Sequence, residues 1–303
     1  MSNPGGLDER GGGSAQLLRL ASIVIVFAAV VATSGVAIAE RVAGKNEAFL
    51  LLTLKRVGGI VDTAMGHSNR FGVPRQATLK LLAQAERLIK DLSKIENASP
   101  ELDRQKVRMR LQIARNFRIV GKTDRQIAHA TAAEHLLRGL VRRNKKDLEA
   151  QGWLSDALGE RGDALVVQGD LAKALKSYEA SLEIRQRLAE SNPKDAMWSL
   201  KLSVALDKVG DVRVAQNDLS QALDSYEASL AIKKRLASEK PDNKAWQRDL
   251  SVSYNRVGDV LRSEGQLARA LVYFQASLAI RQRLGETDTA NSWLLYASDA
   301  ADD

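Results

Sequence analysis

Three aspartates recur at a constant interval in the C-terminal half of the chain, at Asp163, Asp211 and Asp259. Carboxylates spaced in this way could form a ladder that binds the backbone amides or the basic groups of an extended peptide. Alternatively, each carboxylate pairs with a base on a neighbouring helix surface, such as Lys208 or Arg256. Both interpretations predict recognition or packing rather than catalysis.

Motifs of catalytic and phosphate-binding sites are absent from the sequence. It has no P-loop, GxGxxG, HExxH, GxSxG or EF-hand pattern. His129 and His135 lie six residues apart, which is not the i, i+4 spacing of a zinc pair on one helix face. The absence of cysteine also excludes disulfides and thiolate ligands. We therefore predict a non-enzymatic protein without a metal or a cofactor.

The aspartates belong to a longer segment that is repeated. The phrases YEASLEIRQRL, YEASLAIKKRL and FQASLAIRQRL occupy residues 178–188, 226–236 and 274–284, so they recur at the same interval as the aspartates. Self-similarity at a period of about 20–50 residues is typical of stacked supersecondary modules. Aromatic residues make up only 5% of the chain, which favours helices packed through small and aliphatic side chains. The sequence therefore predicts an all-α array of helix pairs.

Each repeat contains two segments with the apolar periodicity of amphipathic helices. A short turn at Gly169, Asn217 or Gly265 separates the two segments. Glycine and asparagine readily adopt the left-handed conformation that ends many helices. Gly121 precedes Gly169 by the same interval that separates these turns, so we also predict a degenerate first repeat.

Three kinds of recurring position predict how these helices pack. Glycine at 162, 210 and 258, and alanine at 174, 222 and 270, would allow the paired helices to approach closely. The aromatic residue at 178, 226 and 274 would fill the space between neighbouring repeats. The EASLxI segments should be core, and we expect the bases beside them to face water: Arg185, Arg187, Lys233, Lys234, Arg281 and Arg283.

The N-terminal region begins with a Gly-rich polar tail at residues 1–19, which is typical of a flexible segment. Residues 20–39 carry no charge, and as a helix they would span about 30 Å, the thickness of a bilayer core. We favour an uncleaved single-pass helix. The alternative is a signal peptide cleaved after Ala39, at the Ala-Ile-Ala sequence that ends the segment. Both interpretations place the repeats outside the cytoplasm.

Between the hydrophobic segment and the repeats, residues 40–98 predict a helical connector. Seven residues form one apolar stripe that a partner helix or the first repeat must cover: Leu81, Leu82, Ala85, Leu88, Ile89, Leu92 and Ile95. Residues 66–74, GHSNRFGVP, predict a break between helices. Ser99 followed by Pro100 predicts the start of the next helix.

The net charge of +8 is unevenly distributed. Residues 104–146 contain 13 basic and 2 acidic residues. Such a segment could contact anionic lipid headgroups, nucleic acid or an acidic partner, or it could be a solvated helical face. No motif of nucleic-acid recognition accompanies it, so we expect no nucleic-acid partner.

The repeats resemble the tetratricopeptide repeat, a helix pair with fixed glycine, small and aromatic positions. The third copy carries the pattern most fully, at Tyr254, Val257, Gly258, Leu261, Gly265, Leu267, Ala270, Phe274 and Ser277. The interval of 48 departs from the family's usual period of about 34 residues. The first helices of this family line a concave surface. The resemblance therefore implies a groove lined by Asp163, Asp207, Asp211, Asn255, Asp259 and Arg262.

The 48-residue form is similar to the repeat region of a group of bacterial signalling proteins. In those proteins an effector domain precedes one membrane helix, a helical segment containing Gly-Val-Pro, and a run of such repeats. The hydrophobic segment and the Gly-Val-Pro sequence at 72–74 match that layout, but only the short tail at 1–19 precedes the hydrophobic segment here. The resemblance implies a sensing or interaction module and carries over no catalytic residue.

Together these observations predict an α-solenoid that follows an N-terminal transmembrane helix. The expected organisation is a tail at 1–19, a transmembrane helix or signal peptide at 20–39, a connector at 40–98, a basic degenerate repeat at 99–148, three repeats at 149–286, and a truncated fourth repeat with an atypical tail at 287–303. We expect a scaffold, anchored in the bacterial cytoplasmic membrane, that binds a protein or peptide. The alternative is an extracytoplasmic sensor or regulatory module of a signalling protein whose effector lies elsewhere.

Overall fold

The computed structural model describes residues 51–52, 54–56, 59, 75–92 and 99–299, with the backbone alone for 75–78 and 286–299. All regular secondary structure within these residues is α-helical. The predicted tail at 1–19 and hydrophobic segment at 20–39 lie outside the described residues. In the described part of the chain, no helix combines the length and the apolar character needed to cross a bilayer.

The helices from residue 75 onward are α1 (Arg75–Leu92), α2 (Pro100–Ile119), α3 (Thr123–Arg143), α4 (Leu148–Val167), α5 (Leu171–Ser191), α6 (Ala196–Ala215), α7 (Leu219–Glu239), α8 (Lys244–Ser263) and α9 (Leu267–Asp299). The chain divides after residue 150 into two compact units, which we call the N-terminal unit and the C-terminal unit.

The core of the N-terminal unit lies between α1 and α2. The predicted apolar stripe of α1 is buried at Leu81, Leu82, Ala85, Leu88, Ile89 and Leu92. It packs against the α2 residues Leu102, Met109, Ile113 and Phe117. The prediction that a neighbouring helix covers this stripe is therefore confirmed, with α2 as the covering helix. Ile95, the last predicted member of the stripe, lies outside the described residues.

The start of α2 has the predicted cap. Ser99 Oγ accepts a hydrogen bond from the backbone N–H of Leu102 at 3.1 Å, and Pro100 is the first helical residue. A serine cap satisfies one of the amide groups that every helix leaves open at its N-terminus. At the other end of α2, Gly121 has a φ of 68° and turns the chain into α3.

In the C-terminal unit, each helix packs against the next along the chain, from α4 to α9. The helices form the pairs α4–α5, α6–α7 and α8–α9. The turn within each pair contains a residue in the left-handed region, with φ values of 80° at Gly169, 63° at Asn217 and 77° at Gly265. The sequence prediction for these three turns is confirmed. Asparagine tolerates this conformation better than most residues with a side chain.

A glycine and an aromatic ring form the closest contact within each helix pair. A Cβ atom at position 210 would lie 2.6 Å from the Tyr226 ring, and one at 258 would lie 2.7 Å from the Phe274 ring. The Tyr178 ring approaches Gly162 in the same way. The prediction that these glycines let the two helices of a pair approach closely is confirmed. The structure adds that each ring lies against the glycine of its own pair.

A buried serine also joins the two helices of each pair. Ser181 Oγ donates a hydrogen bond to the carbonyl of Ser155 at 2.9 Å. The equivalent bonds are Ser229 to the Ser203 carbonyl at 3.0 Å and Ser277 to the Ser251 carbonyl at 2.8 Å. These bonds fix the position of each second helix along its first helix, because a buried hydroxyl is costly without a partner.

The last described helix is longer than the others. Residues 287–293, where the sequence predicts the start of a fourth repeat, are helical and continue α9 to Asp299.

Candidate functional site

All six residues of the predicted groove lie on the first helices of the pairs in the C-terminal unit. Asp163 belongs to α4, Asp207 and Asp211 to α6, and Asn255, Asp259 and Arg262 to α8.

Asp163 contacts both its own helix pair and the next one. Its Oδ1 accepts a hydrogen bond from the Tyr178 hydroxyl at 2.6 Å. The same carboxylate forms an ion pair with Lys208 of α6. The Lys208 ammonium also lies 5.3 Å from the centre of the Tyr178 ring, within the range of a cation–π contact. Asp163, Tyr178 and Lys208 therefore join two successive helix pairs.

The same arrangement recurs one pair later. Asp211 Oδ1 accepts a hydrogen bond from the Tyr226 hydroxyl at 2.6 Å and forms an ion pair with Arg256 of α8. The Arg256 guanidinium lies 5.5 Å from the centre of the Tyr226 ring. The alternative derived from the sequence, in which Lys208 and Arg256 neutralise the repeated aspartates, therefore describes the contacts of Asp163 and Asp211.

Asp259 differs from the other two aspartates of the ladder. Its pair has Phe274 in place of tyrosine, so no phenolic hydroxyl from that position reaches this carboxylate. Asp259 is bonded to Arg262 of its own helix at 2.8 Å. Its side chain is 54% exposed, whereas that of Asp163 is only 15% exposed. The exposed fraction of the aspartate side chain is therefore larger in α8 than in α4.

The two tyrosines are hydrogen-bond donors and not acids or nucleophiles. Burial, followed by the negative charge of Asp163 and the hydrogen bond to it, raises the pKa of Tyr178 far above its usual value. Burial and the bond to Asp211 raise the pKa of Tyr226 in the same way. A raised pKa keeps a phenol protonated at neutral pH, so both hydroxyls act as hydrogen-bond donors to their aspartates.

Asp207 is a buried residue and does not line an open groove. It is buried, and its Oδ2 pairs with the Lys233 ammonium at 2.6 Å. Lys233 also donates a hydrogen bond to Ser253 Oγ of the following pair at 3.0 Å. Asn255 occupies the position equivalent to Asp207 in the next repeat and is partly buried.

The prediction that the bases beside the EASLxI segments face water is wrong for two of them. Lys233 and Arg185 are both buried. Arg185 forms an ion pair with Asp156 of α4, as Lys233 does with Asp207. A buried cation is tolerated only with a close counter-charge, and α4 and α6 supply it. Burial is the largest influence on the pKa of Arg185 and lowers it, while Asp156 opposes that effect.

Two exposed valines lie on the surface of the first helices α6 and α8. Val204 precedes Asp211 by seven residues and Val252 precedes Asp259 by seven, and all four residues are exposed. Seven residues correspond to about two helical turns, so each valine shares a helix face with its aspartate. These valines could not be recognised from the sequence, because an apolar residue on the surface of a helix has no pattern that separates it from a core residue.

The basic segment at 104–146 is partly neutralised inside the N-terminal unit. Arg104 lies 3.3 Å from Glu149, Arg138 lies 2.8 Å from Glu134, and Arg143 lies 3.4 Å from Asp103. Lys106 is buried beside Asp103, and burial lowers its pKa. Three of the arginines counted in the sequence therefore pair with carboxylates of the same unit, and Lys106 is buried in it.

His129 is a buried residue of the same unit. Its Nε2 lies 2.8 Å from Glu86 Oε1, and its ring stacks on Phe117 at 5.8 Å. Burial, assisted by the positive charges of Arg110 and Arg125, lowers the pKa of His129 to about 4. Across the described residues, no cluster of histidine and carboxylate side chains is suited to holding a metal ion.

The comparisons with known proteins agree with this geometry. The tetratricopeptide-repeat family models match residues 153–235 and 250–284. The crystal structure of BtubC (BKLC) from P. vanneervenii has a TM-score of 0.60 at 16% identity, covering 84% of this chain and 89% of that chain. A putative kinesin light chain of Podosopora anserina with TPR-like repeats has a TM-score of 0.52 at 14% identity, covering 77% and 96%. At these identities the two structures support the fold alone.

A comparison with curated proteins finds no match. The matched residues include the helices that carry the repeated glycine, aromatic and serine contacts. Residues 153–235 and 250–284 are therefore tetratricopeptide repeats, stacked as an all-α solenoid.

Proposed function

We propose that this chain is a non-enzymatic, membrane-anchored scaffold that binds an extended protein or peptide partner along α6 and α8. The observation that carries the proposal is the exposed pairing of Val204 with Asp211 and of Val252 with Asp259 on one face of successive first helices. Each pair offers an apolar contact and a carboxylate about two helical turns apart. A partner with alternating apolar and basic side chains fits that pattern.

The neutralisation of the ladder determines which acid contributes most to binding. Lys208 forms an ion pair with Asp163, and Arg256 forms one with Asp211. Each base would have to be displaced before a cation of the ligand could bind to its aspartate. Among the described residues, the ion-pair partner of Asp259 is the exposed Arg262 of its own helix. We therefore assign the main electrostatic contact of the partner to Asp259, and the apolar contacts to the two valines.

The test uses peptides selected from a random phage-displayed library against the purified full-length chain. The expected result is a set of binders rich in basic and apolar residues. Their affinity should fall by about 10-fold or more in Val252→Glu and in Asp259→Lys, each measured by fluorescence anisotropy. Lys234→Glu, on the exposed surface of α7, is the matched control. Failure to select binders, or equal affinity for all variants, would contradict the proposal.

The membrane anchor and the repeat length are further parts of the proposal. The uncharged run at 20–39 supports a single-pass helix of the bacterial cytoplasmic membrane with extracytoplasmic repeats. Cleavage after Ala39 would instead give a secreted protein. The starts of α4, α6 and α8 at 148, 196 and 244 support a 48-residue repeat, with 99–148 as a basic first copy.

A reporter fusion tests the topology. Alkaline phosphatase is fused after Leu284, and a fluorescent protein active only in the cytoplasm is fused at the same point in parallel. Phosphatase activity in the membrane fraction is the expected result. Fluorescence would place the repeats in the cytoplasm, and activity in the soluble periplasmic fraction would identify the cleaved form.

A further inference from the structure

Two carboxylates lie about one helical turn apart on α6, and their environments differ. The side chain of Asp211 is 48% exposed and pairs with Arg256 of α8. Asp207 is only 8% exposed, and its Oδ2 pairs with Lys233. The other oxygen of Asp207, Oδ1, is buried and accepts no hydrogen bond from the described residues. Since a buried carboxylate oxygen is stabilised by a donor, Oδ1 is an open acceptor one turn away from Asp211.

Arg256 is attracted by both carboxylates. Burial lowers the pKa of Arg256, but the negative charges of Asp211 and, next, of Asp207 outweigh burial and raise it. The guanidinium lies 5.5 Å from the centre of the Tyr226 ring, and that ring packs against Gly210. Gly210 lies between the two acids in the sequence of α6. The ring contact therefore keeps the guanidinium near the part of α6 that carries both carboxylates.

The equivalent contact one repeat earlier has no second acceptor of this kind. Lys208 pairs with Asp163 of α4, but the residue four positions before Asp163 is Gly159, where α6 has Asp207. The side chain of Asp163 is also only 15% exposed. A base displaced from Asp163 would find no carboxylate one turn earlier on α4, whereas a base displaced from Asp211 would find Asp207. Asp211 is therefore better suited than Asp163 to exchange its base for a cation of a ligand.

We infer that Asp211 is a second binding residue for the partner, with Arg256 as its exchangeable counter-ion. When a basic side chain of the partner binds Asp211, Arg256 moves to Asp207 Oδ1 and keeps a counter-charge. Lys233 stays on Oδ2, because one carboxylate accepts hydrogen bonds at both oxygens. On the function proposed above, on which this inference rests, a partner with two basic side chains binds Asp211 and Asp259, one on each of two successive first helices.

A crystal structure of the full-length Asp211→Ala variant tests the second acceptor without any partner. Removing the Asp211 carboxylate leaves Arg256 to pair elsewhere, as a ligand cation on Asp211 would. The expected result is a guanidinium nitrogen of Arg256 within about 3 Å of Asp207 Oδ1. An Arg256 side chain that extends into solvent, with no bond to Asp207, would overturn the inference. Because no peptide is present, this result does not depend on the proposed function.

A short synthetic peptide of alternating leucine and lysine residues tests the exchange in solution by fluorescence anisotropy. Arg256→Gln should bind the peptide at least about 3-fold more tightly than the unaltered full-length chain, because Asp211 then has no competing base. Lys208→Gln is the matched control: it loses the same charge one repeat earlier and should change the affinity by less than about 2-fold. Equal effects of the two variants, or no gain in Arg256→Gln, would overturn the inference. No binding by any form would contradict the proposed function, while the Asp211→Ala structure would still decide whether Asp207 accepts Arg256.

Discussion

The Tyr178 hydroxyl donates a hydrogen bond of 2.6 Å to Asp163, and Lys208 of the next helix pair lies over the same tyrosine ring. The Tyr178 side chain therefore contributes both to the packing within its own helix pair and to the contact with the next pair. Its ring fills the space against Gly162 within the pair, and its hydroxyl orients the carboxylate that binds the following pair.

The first prediction concerns this hydroxyl. Tyr178→Phe should lower the free energy of unfolding by about 1–2 kcal/mol, because it removes a hydrogen bond to a charged acceptor while the ring contact remains. Urea denaturation followed by circular dichroism gives the change. Tyr254→Phe is a suitable control, since this tyrosine does not belong to an Asp–Tyr–base contact. An unchanged midpoint for Tyr178→Phe would show that the hydrogen bond makes no net contribution.

The second prediction uses two glycines within first helices. Gly210→Ala should destabilise the protein by about 1–3 kcal/mol, because the new methyl group would overlap the Tyr226 ring. Gly159→Ala should instead leave stability unchanged or raise it by up to about 1 kcal/mol. Apart from the backbone of its own helix, no atom of the described residues lies within 4 Å of a Cβ at this position, and alanine favours the helix. Thermal unfolding of both variants checks the opposite signs. Equal changes in stability for the two variants would contradict the close contact between Gly210 and the Tyr226 ring.

The third prediction concerns the buried Lys233–Asp207 pair. Lys233→Met should destabilise the protein by about 3–5 kcal/mol, because it leaves the Asp207 carboxylate buried without its counter-charge. The double variant Lys233→Met/Asp207→Leu should recover most of that loss. Lys234→Met, next along the chain and exposed, should change stability by less than about 0.5 kcal/mol. A double variant as unstable as Lys233→Met alone would refute the assignment.

The fourth prediction concerns acid stability. The pKa of His129 is lowered to about 4, so between pH 6.5 and pH 4 the unfolded chain binds a proton that the folded chain does not. Stability should therefore decrease as the pH falls through this range, by roughly 3 kcal/mol in total for this group. His129→Gln should flatten the profile, and His135→Gln, at an exposed site, should leave it unchanged. Thermal melts at half-unit pH steps provide the measurement.

The basis for a low pKa at His129 is geometric as well as electrostatic. Its Nε2 faces Glu86, which would favour the charged form, but Arg125 also binds that carboxylate at 3.1 Å. Arg110 adds a second positive charge near the ring. Burial and the two arginines therefore affect the pKa of His129 more than the single carboxylate does. A free energy of unfolding that increased as the pH fell would show that the carboxylate dominates instead.

The sequence predicted the turns and the helix pairs well because their constraints are local. A left-handed φ admits few residues, so Gly169, Asn217 and Gly265 could be recognised without a structure. The close glycine contacts were also predictable, since a small residue that recurs at one position in every repeat has a packing reason. Lys208 and Arg256, which pair with Asp163 and Asp211, could also be identified from the sequence.

The burial of Arg185 and Lys233 could not be predicted in the same way. Their acids, Asp156 and Asp207, do not occupy equivalent positions in the two helix pairs. The repeat pattern therefore gave no sign that each base has a counter-charge, and an unpaired base was expected to face water. The exposed valines of α6 and α8 were missed for a related reason, since exposure depends on which neighbouring helix covers each face.

The contacts between successive pairs have a consequence for how such a chain can change in length. Each of the first two aspartates of the ladder receives its base from the pair that follows it, at the same distance along the sequence: Asp163 from Lys208 and Asp211 from Arg256. Deleting residues 196–243 would bring Arg256 to the place of Lys208, over the Tyr178 ring. A gene encoding this chain could therefore lose or duplicate residues 196–243 in frame, and the contacts at the new junction would match those at the old one.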